Sequence, residues 1–263
     1  AQAQFRPADL ARAAGVAWVD AQALGIDHQQ RHVQLTNGNS VPYDLVSFDI
    51  GSRLAVDQLP GVQQYAIPVK PVKAALRVLA AAADAVEQAK PATPAEIVIV
   101  GGGAAGTEIA FCLDAALAQR YGRSRYRVTV VDAGAHLLAA YPARFRAKAL
   151  KLLQQRGIAV RTSVTVAAVE LARIVVEDGA AISSDVVLWA TGPRAPALFR
   201  DSGLPVDQAG YLRVKPQLQV AEHPTIFGAG DCVSITGYRW MPRAGVYAVR
   251  AGPVLARNIQ AYV

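Results

Sequence analysis

Cysteine is scarce in this 263-residue chain: Cys112 and Cys232 are the two present, 120 positions apart and without a CxxC spacing. That excludes a disulfide framework and a zinc knuckle, and it fits a reducing, cytoplasmic setting. Aromatic residues make up 7% and charged residues 18%. Lys and Arg exceed Asp and Glu by 27 to 20, for a net charge of +7. Apart from Arg120, Arg123, Arg125 and Arg127 these basic residues are scattered, and none forms a run interleaved with stacking aromatics, so no nucleic-acid groove is expected. Long hydrophobic runs are missing as well. The Ala-rich stretch 74–89 is interrupted by Arg77, Asp84 and Glu87, and AQAQFRPADL lacks a basic segment followed by an apolar core. Neither a transmembrane segment nor an export signal is read here. No GxSxG elbow occurs. His28 and His32 flank a turn into a strand, where an i,i+4 spacing does not bring side chains together, and no third ligand accompanies them. No metal site is expected.

What is present is apolar: 52% of the residues are hydrophobic, too many for a disordered chain. A chain of this size buries roughly three quarters of its unfolded surface, enough for two domains that share an interface. A short helix is read at 8–14, followed by strands in VAWVDAQALGID, HVQLTNGNSV and YDLVSFDIGS, with Asn37-Gly38 as the hairpin signal. From Lys70 to Gln88 the apolar residues Val72, Leu76, Leu79, Ala83 and Val86 recur at helical spacing, and KPATPAE then breaks the pattern. IVIV, GGGAAG, a helix to about Gln119 and the strand RVTVV ending at Asp132 form a β-α-β unit of the dinucleotide-binding type. A helix in ARFRAKALKLLQQRG, short strands around Val160, Val166 and Val175, and DVVLWATG complete a segment of about 100 residues, 93–192. TIFGAGD reads as a further buried strand, and MPRAGVYAVRAGPVLARNIQAYV as a closing helix. LVSFDIGS, VVLWATGP and TIFGAGD each stop at a small residue. Ligands sit at such carboxyl ends of parallel strands, and three ends predict more than one nucleotide.

The strongest motif is IVIVGGGAAGTE, where Gly101, Gly103 and Gly106 satisfy GxGxxG between a buried strand and a helix. In that context Gly101 makes the tight turn, Gly103 admits a pyrophosphate to the backbone N–H groups, and Gly106 packs helix on strand. Asp132 ends the next strand, where a carboxylate accepts from both ribose hydroxyls. AGAHLLAAYPAR then offers no Arg or Lys before Arg144 to hold a 2′-phosphate, so NAD is expected over NADP. The 26 positions from Gly106 to Asp132 exceed the usual ~20, and QRYGRSRY supplies the excess as a loop. Glu108 is read in the first helical turn, either as a carboxylate stabilised by the helix dipole or as one that reaches the nicotinamide. Asp231, in the segment Gly228 to Asp231, either caps the next turn or binds a polyol such as flavin ribitol. Both cysteines read as small buried hydrophobes.

On YDLVSFDIGS, VIVGGGAAGTE, VLWATG and IFGAGD, in that order, the chain resembles the FAD-dependent pyridine nucleotide-disulfide oxidoreductase superfamily. VPYDLVSFDIGS, VKPV and MPRAGVYAVRAGPVLARNI are more closely similar to the subgroup found beside or fused to selenophosphate synthetase, itself similar to type II NADH dehydrogenases. The fold implied is α/β, with a Rossmann-like NAD-binding domain (93–192) inserted into a split, incomplete FAD-binding domain (1–92 and 193–263). The resemblance implies that Asp231 contacts the flavin ribitol or pyrophosphate, and that Gly51 and Gly192 lie along the dinucleotides beside Gly228 and Gly230. Residues 242–245, with Pro242 and Ala244, would start a helix aimed at the isoalloxazine. Lys70 is read near the flavin or the domain junction, or as a solvated first-turn lysine. Glu108 and Lys70 are thus the catalytic candidates.

The sequence departs from the superfamily in three ways. No fingerprint for the ADP half of FAD precedes Ala1, so the chain reads as truncated. The CxxxxC redox pair is absent, and Val246 and Arg250 stand where type II dehydrogenases carry paired glutamines. The expected activity is hydride transfer from NADH to FAD and on to a small-molecule acceptor. The alternative is a nucleotide-binding module without turnover, with selenophosphate synthetase as partner. A homodimer is the expected assembly.

Overall fold

The structure, a computed structural model, describes residues 6–263 except 55–58, 71, 91 and 239, and leaves out the side chains of 72–76. Two compact units divide it: a split unit formed by the residues up to Gly51 together with Ala195–Val263, and a contiguous unit, Ser52–Arg194.

The split unit opens with helix α1 (Pro7–Ala13), which starts on a proline. Strands β1 (Ala23–Asp27), β2 (His32–Leu35) and β3 (Ser40–Pro42) follow as an antiparallel meander. Gly38, at φ +82°, makes the predicted turn between β2 and β3. The expected strand from Val16 is shorter than its apolar pattern suggests. Val16, Trp18 and Val19 are exposed, and pairing begins only at Ala23, where β2 supplies a partner. Strand β4 (Val46–Phe48) closes this first segment.

In the contiguous unit come β5 (Arg53–Leu54), helix α2 (Val62–Tyr65), β6 (Ala66–Pro68), helix α3 (Val72–Gln88), β7 (Ala95–Val100), helix α4 (Ala104–Tyr121) and β8 (Tyr126–Val131). Next are α5 (Ala143–Gln155), β9 (Ala159–Arg161), the antiparallel trio β10 (Val166–Glu170), β11 (Arg173–Val176) and β12 (Ala181–Ser183), then β13 (Val186–Trp189) and β14 (Pro193–Arg194). Five strands form one parallel sheet in the order β6-β13-β7-β8-β9. Strands β7 and β13 are buried nearly throughout, as strands covered on both faces must be.

The unit begins further upstream than residue 93 for a physical reason. Strand β6 extends the sheet beside β13, and α3 drives Val78, Ala82 and Val86 into the core that holds Ile97 and Ile99. Of the residues expected on the buried face of α3, Ala83 and Val86 are buried, but Leu79 is 47% exposed, and Val78 and Ala82 are buried in its stead. Val72 and Leu76 lie outside the described side chains. In the second half of α4, Asp114 is 1% exposed and binds Arg123 through both oxygens, at 3.1 and 2.9 Å, while the Tyr126 hydroxyl donates to it at 2.7 Å. Desolvation pushes its pKa up, but the hydrogen bonds from Arg123 and Tyr126 and the positive charges of Arg123 and Arg156 outweigh this and hold it below the usual value. QRYGRSRY is therefore more than a spacer, because Arg123 and Tyr126 pin its end to the helix.

The chain then returns to the split unit with α6 (Leu198–Asp201), β15 (Leu212–Val214), β16 (Ile226–Gly228), β17 (Val233–Ile235) and α7 (Gly245–Tyr262). Strand β4 pairs β16 in parallel and so joins the unit's two chain segments, while β15 pairs β17 in parallel within the later one. The core between them holds Phe48, Phe199, Leu212 and Ile226. Among the described residues no helix is long and apolar enough to cross a membrane.

Candidate dinucleotide-binding sites

Three consecutive glycines follow β7, and each has a different neighbour. Gly101 takes φ +114°, and a Cβ there would strike the carbonyl of Ala190 at the end of β13; its N–H donates to the Val131 carbonyl at 2.8 Å. A Cβ on Gly102 would meet Leu137 and Asp132, whereas one on Gly103 would meet nothing within 4 Å. Three residues on, a Cβ on Gly106 would collide with the Gly101 carbonyl. Gly101 and Gly106 are thus closed by backbone contact, and Gly103 is the open side of the turn. Helix α4 begins at Ala104 with no side-chain cap on its N-terminus, which leaves backbone N–H donors for an anion.

Asp132 follows β8 directly. One carboxylate oxygen accepts from the Gly102 N–H at 2.5 Å and the other from the Gly134 N–H at 2.8 Å. The acid is therefore fastened to the glycine turn at the strand end, with each oxygen keeping further lone pairs for ribose hydroxyls. The loop beyond it folds back too: Leu138, in a left-handed conformation at φ +55° and buried, donates its N–H to the Gly102 carbonyl at 2.8 Å. Sequence reasoning missed Gly102, Leu137 and Leu138. The run of three glycines and the apolar pair inside an otherwise polar loop were the available signals.

Glu108 is displaced from its expected position. Because α4 starts at Ala104, Glu108 lies beyond the first turn, exposed, where the helix dipole contributes little. Gly192 lies past the end of β13, exposed, with open space in its Cβ direction. Lys70 precedes α3 and is half-buried, not a solvated first-turn residue; its Nζ donates to Ser52 Oγ at 3.3 Å. Gly101, Gly103, Gly106 and Asp132 thus form one constellation of the contiguous unit.

A second constellation belongs to the split unit. Phe48 of β4 stands opposite Gly228 of β16, and the Ala229 N–H donates to the Phe48 carbonyl at 2.9 Å, so both strands end level. Past these ends Gly51 (φ +65°) has open space around it. Gly230 (φ +73°) carries Asp231 into a short 3-10 turn, and a Cβ on Gly230 would strike the Asp49 carboxylate. Desolvation, and then the like charge of Asp231, raise the pKa of Asp49. Asp49 sits within YDLVSFDIGS, yet its place beside Asp231 depends on the β4–β16 pairing and could not be read from either segment alone. Gly228 faces inward: its missing Cβ makes room for Val233 at 2.8 Å and Leu212 at 3.1 Å, a demand of the core. Helix α7 starts at Gly245 with Ala244 as its uncapped N-terminal residue, so Pro242 lies in the approach to the helix rather than in it. Cys232 is buried, and burial pushes its thiol up to about 11. Cys112, expected to be buried, is exposed on α4. Among the described residues no cluster of three or more His, Cys, Asp or Glu could hold a metal ion.

The family model described as pyridine nucleotide-disulphide oxidoreductase matches residues 4–252. The chain is 31% identical over 230 residues to the demethylphylloquinone reductase NdbB of Synechocystis, covering 85% of this chain and 55% of that protein. It is 31% identical over 173 residues to a type II NADH:quinone oxidoreductase of Haemophilus influenzae, covering 62% of this chain and 39% of that one. The chain thus spans about half the length, or less, of these curated relatives. In structure it is similar to a ferredoxin reductase from Rhodopseudomonas palustris, with a TM-score of 0.79 at 19% identity over 97% of this chain and 61% of that one.

Proposed function

The chain belongs to the pyridine nucleotide-disulphide oxidoreductase family, and from that premise we propose that it serves an NADH-dependent flavin oxidoreductase that passes electrons to a small-molecule acceptor. The observation that carries this reading is the asymmetry of the glycine turn. Gly101 and Gly106 are closed by backbone while Gly103 is open, next to an uncapped helix N-terminus and an acid fastened to the same turn. That is the chemistry an adenine dinucleotide requires: N–H donors and a positive dipole end for the diphosphate, and a carboxylate for the ribose diol. Asp132 with no Lys or Arg in residues 133–143 suits NADH, because a 2′-phosphate would meet a carboxylate and no guanidinium. Glu108 and Gly192 are candidates to line the nicotinamide half, and Lys70 to act where Ser52 holds it.

For the flavin, the residues of the split unit fit. Gly51 and Gly230 leave backbone accessible at two level strand ends, Asp231 offers a carboxylate to a polyol, and the α7 N-terminus offers a dipole end that stabilises negative charge. FAD, when bound, supplies the hydride acceptor; the protein's part is to bind, orient and polarise. Incubation with FAD, gel filtration and anaerobic addition of NADH tests this reading. The expected result is a retained flavin whose visible absorption bleaches with NADH. A preparation that stays colourless after FAD loading, or retains FAD and ignores NADH, would count against it.

A further inference from the structure

We propose that the outer face of α5 docks the contiguous unit onto a lipid surface that carries anionic headgroups. The charge for this is concentrated by missing acid rather than by clustered base. Residues 133–169 hold six Arg or Lys and no Asp or Glu, against a net charge of +7 for the whole chain. Most of the excess positive charge thus belongs to one stretch, made of the loop after Asp132, α5, β9 and β10 as far as Val169.

Helix α5 turns its large apolar side chains two ways. Ala149 and Leu153 are buried in the core beside Ile158. Phe145 and Leu152, two turns apart on one flank, are 51% and 41% exposed. Phe145 is steadied there by stacking on Tyr141, with centroids 5.2 Å apart. Arg144, Lys148 and Lys151, at i, i+4 and i+7, line the exposed face beside them. Just past the helix Arg156 meets Asp114 at 3.9 Å, whereas Arg144, Lys148 and Lys151 form no ion pair with a described residue. The helix packs against β9, an edge strand of the five-stranded sheet, and turns this charged face outward. The combination selects the partner. Lysine is depleted at protein–protein interfaces, whereas Lys and Arg beside exposed Phe and Leu are what an amphipathic helix presents to an anionic bilayer. The face is convex and its cations sit on flexible stems, so a fluid headgroup layer can follow it where a folded protein would need a matching hollow.

Sedimentation of the whole chain with vesicles tests this, using phosphatidylcholine alone and phosphatidylcholine with about 30% phosphatidylglycerol. Each cation close to an anionic surface strengthens partitioning about fivefold, so at low salt the anionic vesicles should bind about a hundredfold tighter. Added salt should erase that difference. Lys148→Gln and Lys151→Gln should each weaken partitioning into the anionic vesicles about fivefold, and Leu152→Ser, with the charge intact, about threefold. Lys90→Gln, which removes the same charge from outside the stretch, should leave it unchanged. NADH affinity and the thermal unfolding midpoint should match wild type in every variant, which separates lost docking from damage to the dinucleotide turn or to the fold. No partitioning into either vesicle, equal partitioning into both, or an equal loss from Lys90→Gln would overturn the proposal. So would binding to soluble polyglutamate as tight as to the anionic vesicles, which would assign the face to an acidic polypeptide.

Discussion

Both units end parallel strands in glycine turns, but they hold those turns differently. After β7 the turn is fixed from several sides: Gly101 against the Ala190 carbonyl, Gly106 against the Gly101 carbonyl, Gly102 under Leu137 and tied through its N–H to Asp132. After β4 and β16 the turns rest on one two-stranded pairing and on the contact between Gly230 and Asp49. The contiguous unit builds its turn into a five-stranded sheet, so its glycines carry both packing and ligand chemistry. The split unit brings together two chain segments far apart in sequence. What it gains is a pair of carboxylates, Asp49 and Asp231, that no single segment could supply.

That difference predicts a graded response to substitution. The largest effect falls on the contiguous unit: Gly106→Val forces a side chain into the Gly101 carbonyl and should cost about 3 kcal/mol in urea unfolding, whereas Gly103→Ala, with open space around it, should leave the midpoint nearly unchanged. Equal loss in both would erase the distinction between the closed and open sides of the turn. Next is Asp114→Asn, which weakens the hydrogen bonds from Arg123 and Tyr126 and should cost about 2 kcal/mol at neutral pH. The folded carboxyl is depressed, so its contribution is present above the unfolded aspartate value of about 3.9 and is lost as pH falls through the lower folded value. The gap between wild type and variant should therefore close on acidification, and a pH-independent gap would refute the charge argument. In the split unit, Gly230→Ala meets φ +73° and the Asp49 carboxylate and should cost about 1–2 kcal/mol without weakening NADH binding; a loss of NADH affinity would mean that the two constellations are not energetically separate. The smallest effect is chemical. Exposed Cys112 should alkylate in the native protein, while buried Cys232, its thiol pushed up to about 11, should wait for unfolding, as mass spectrometry of each peptide would report.

The same contrast explains how much was legible beforehand. The β-α-β unit with Gly101, Gly106 and Asp132 could be read because its parts are close in sequence and its strands are buried on both faces. The upstream limit of the contiguous unit could not, because β6 is three residues long and owes its place to β13, more than 100 positions later. Periodicity located α3 and put Ala83 and Val86 on its buried face, but it chose Leu79 where Val78 and Ala82 are buried instead, since adjacent alanines fit either rotation. Apolar content alone suggested a strand through Val16 and Val19, where among the described residues no strand pairs with them. Asp49 was passed over because it acquires meaning from a neighbour, Asp231, that only the folded chain brings to it.

The central claim is that the turn after β7 and Asp132 together grip the adenosine diphosphate half of NADH. Calorimetric titration of the chain with NADH and, separately, NADPH tests it most directly. The account predicts saturable NADH binding, displaced by ADP-ribose, with NADPH weaker by about tenfold or more; no NADH binding, or a preference of the same size for NADPH, would contradict it.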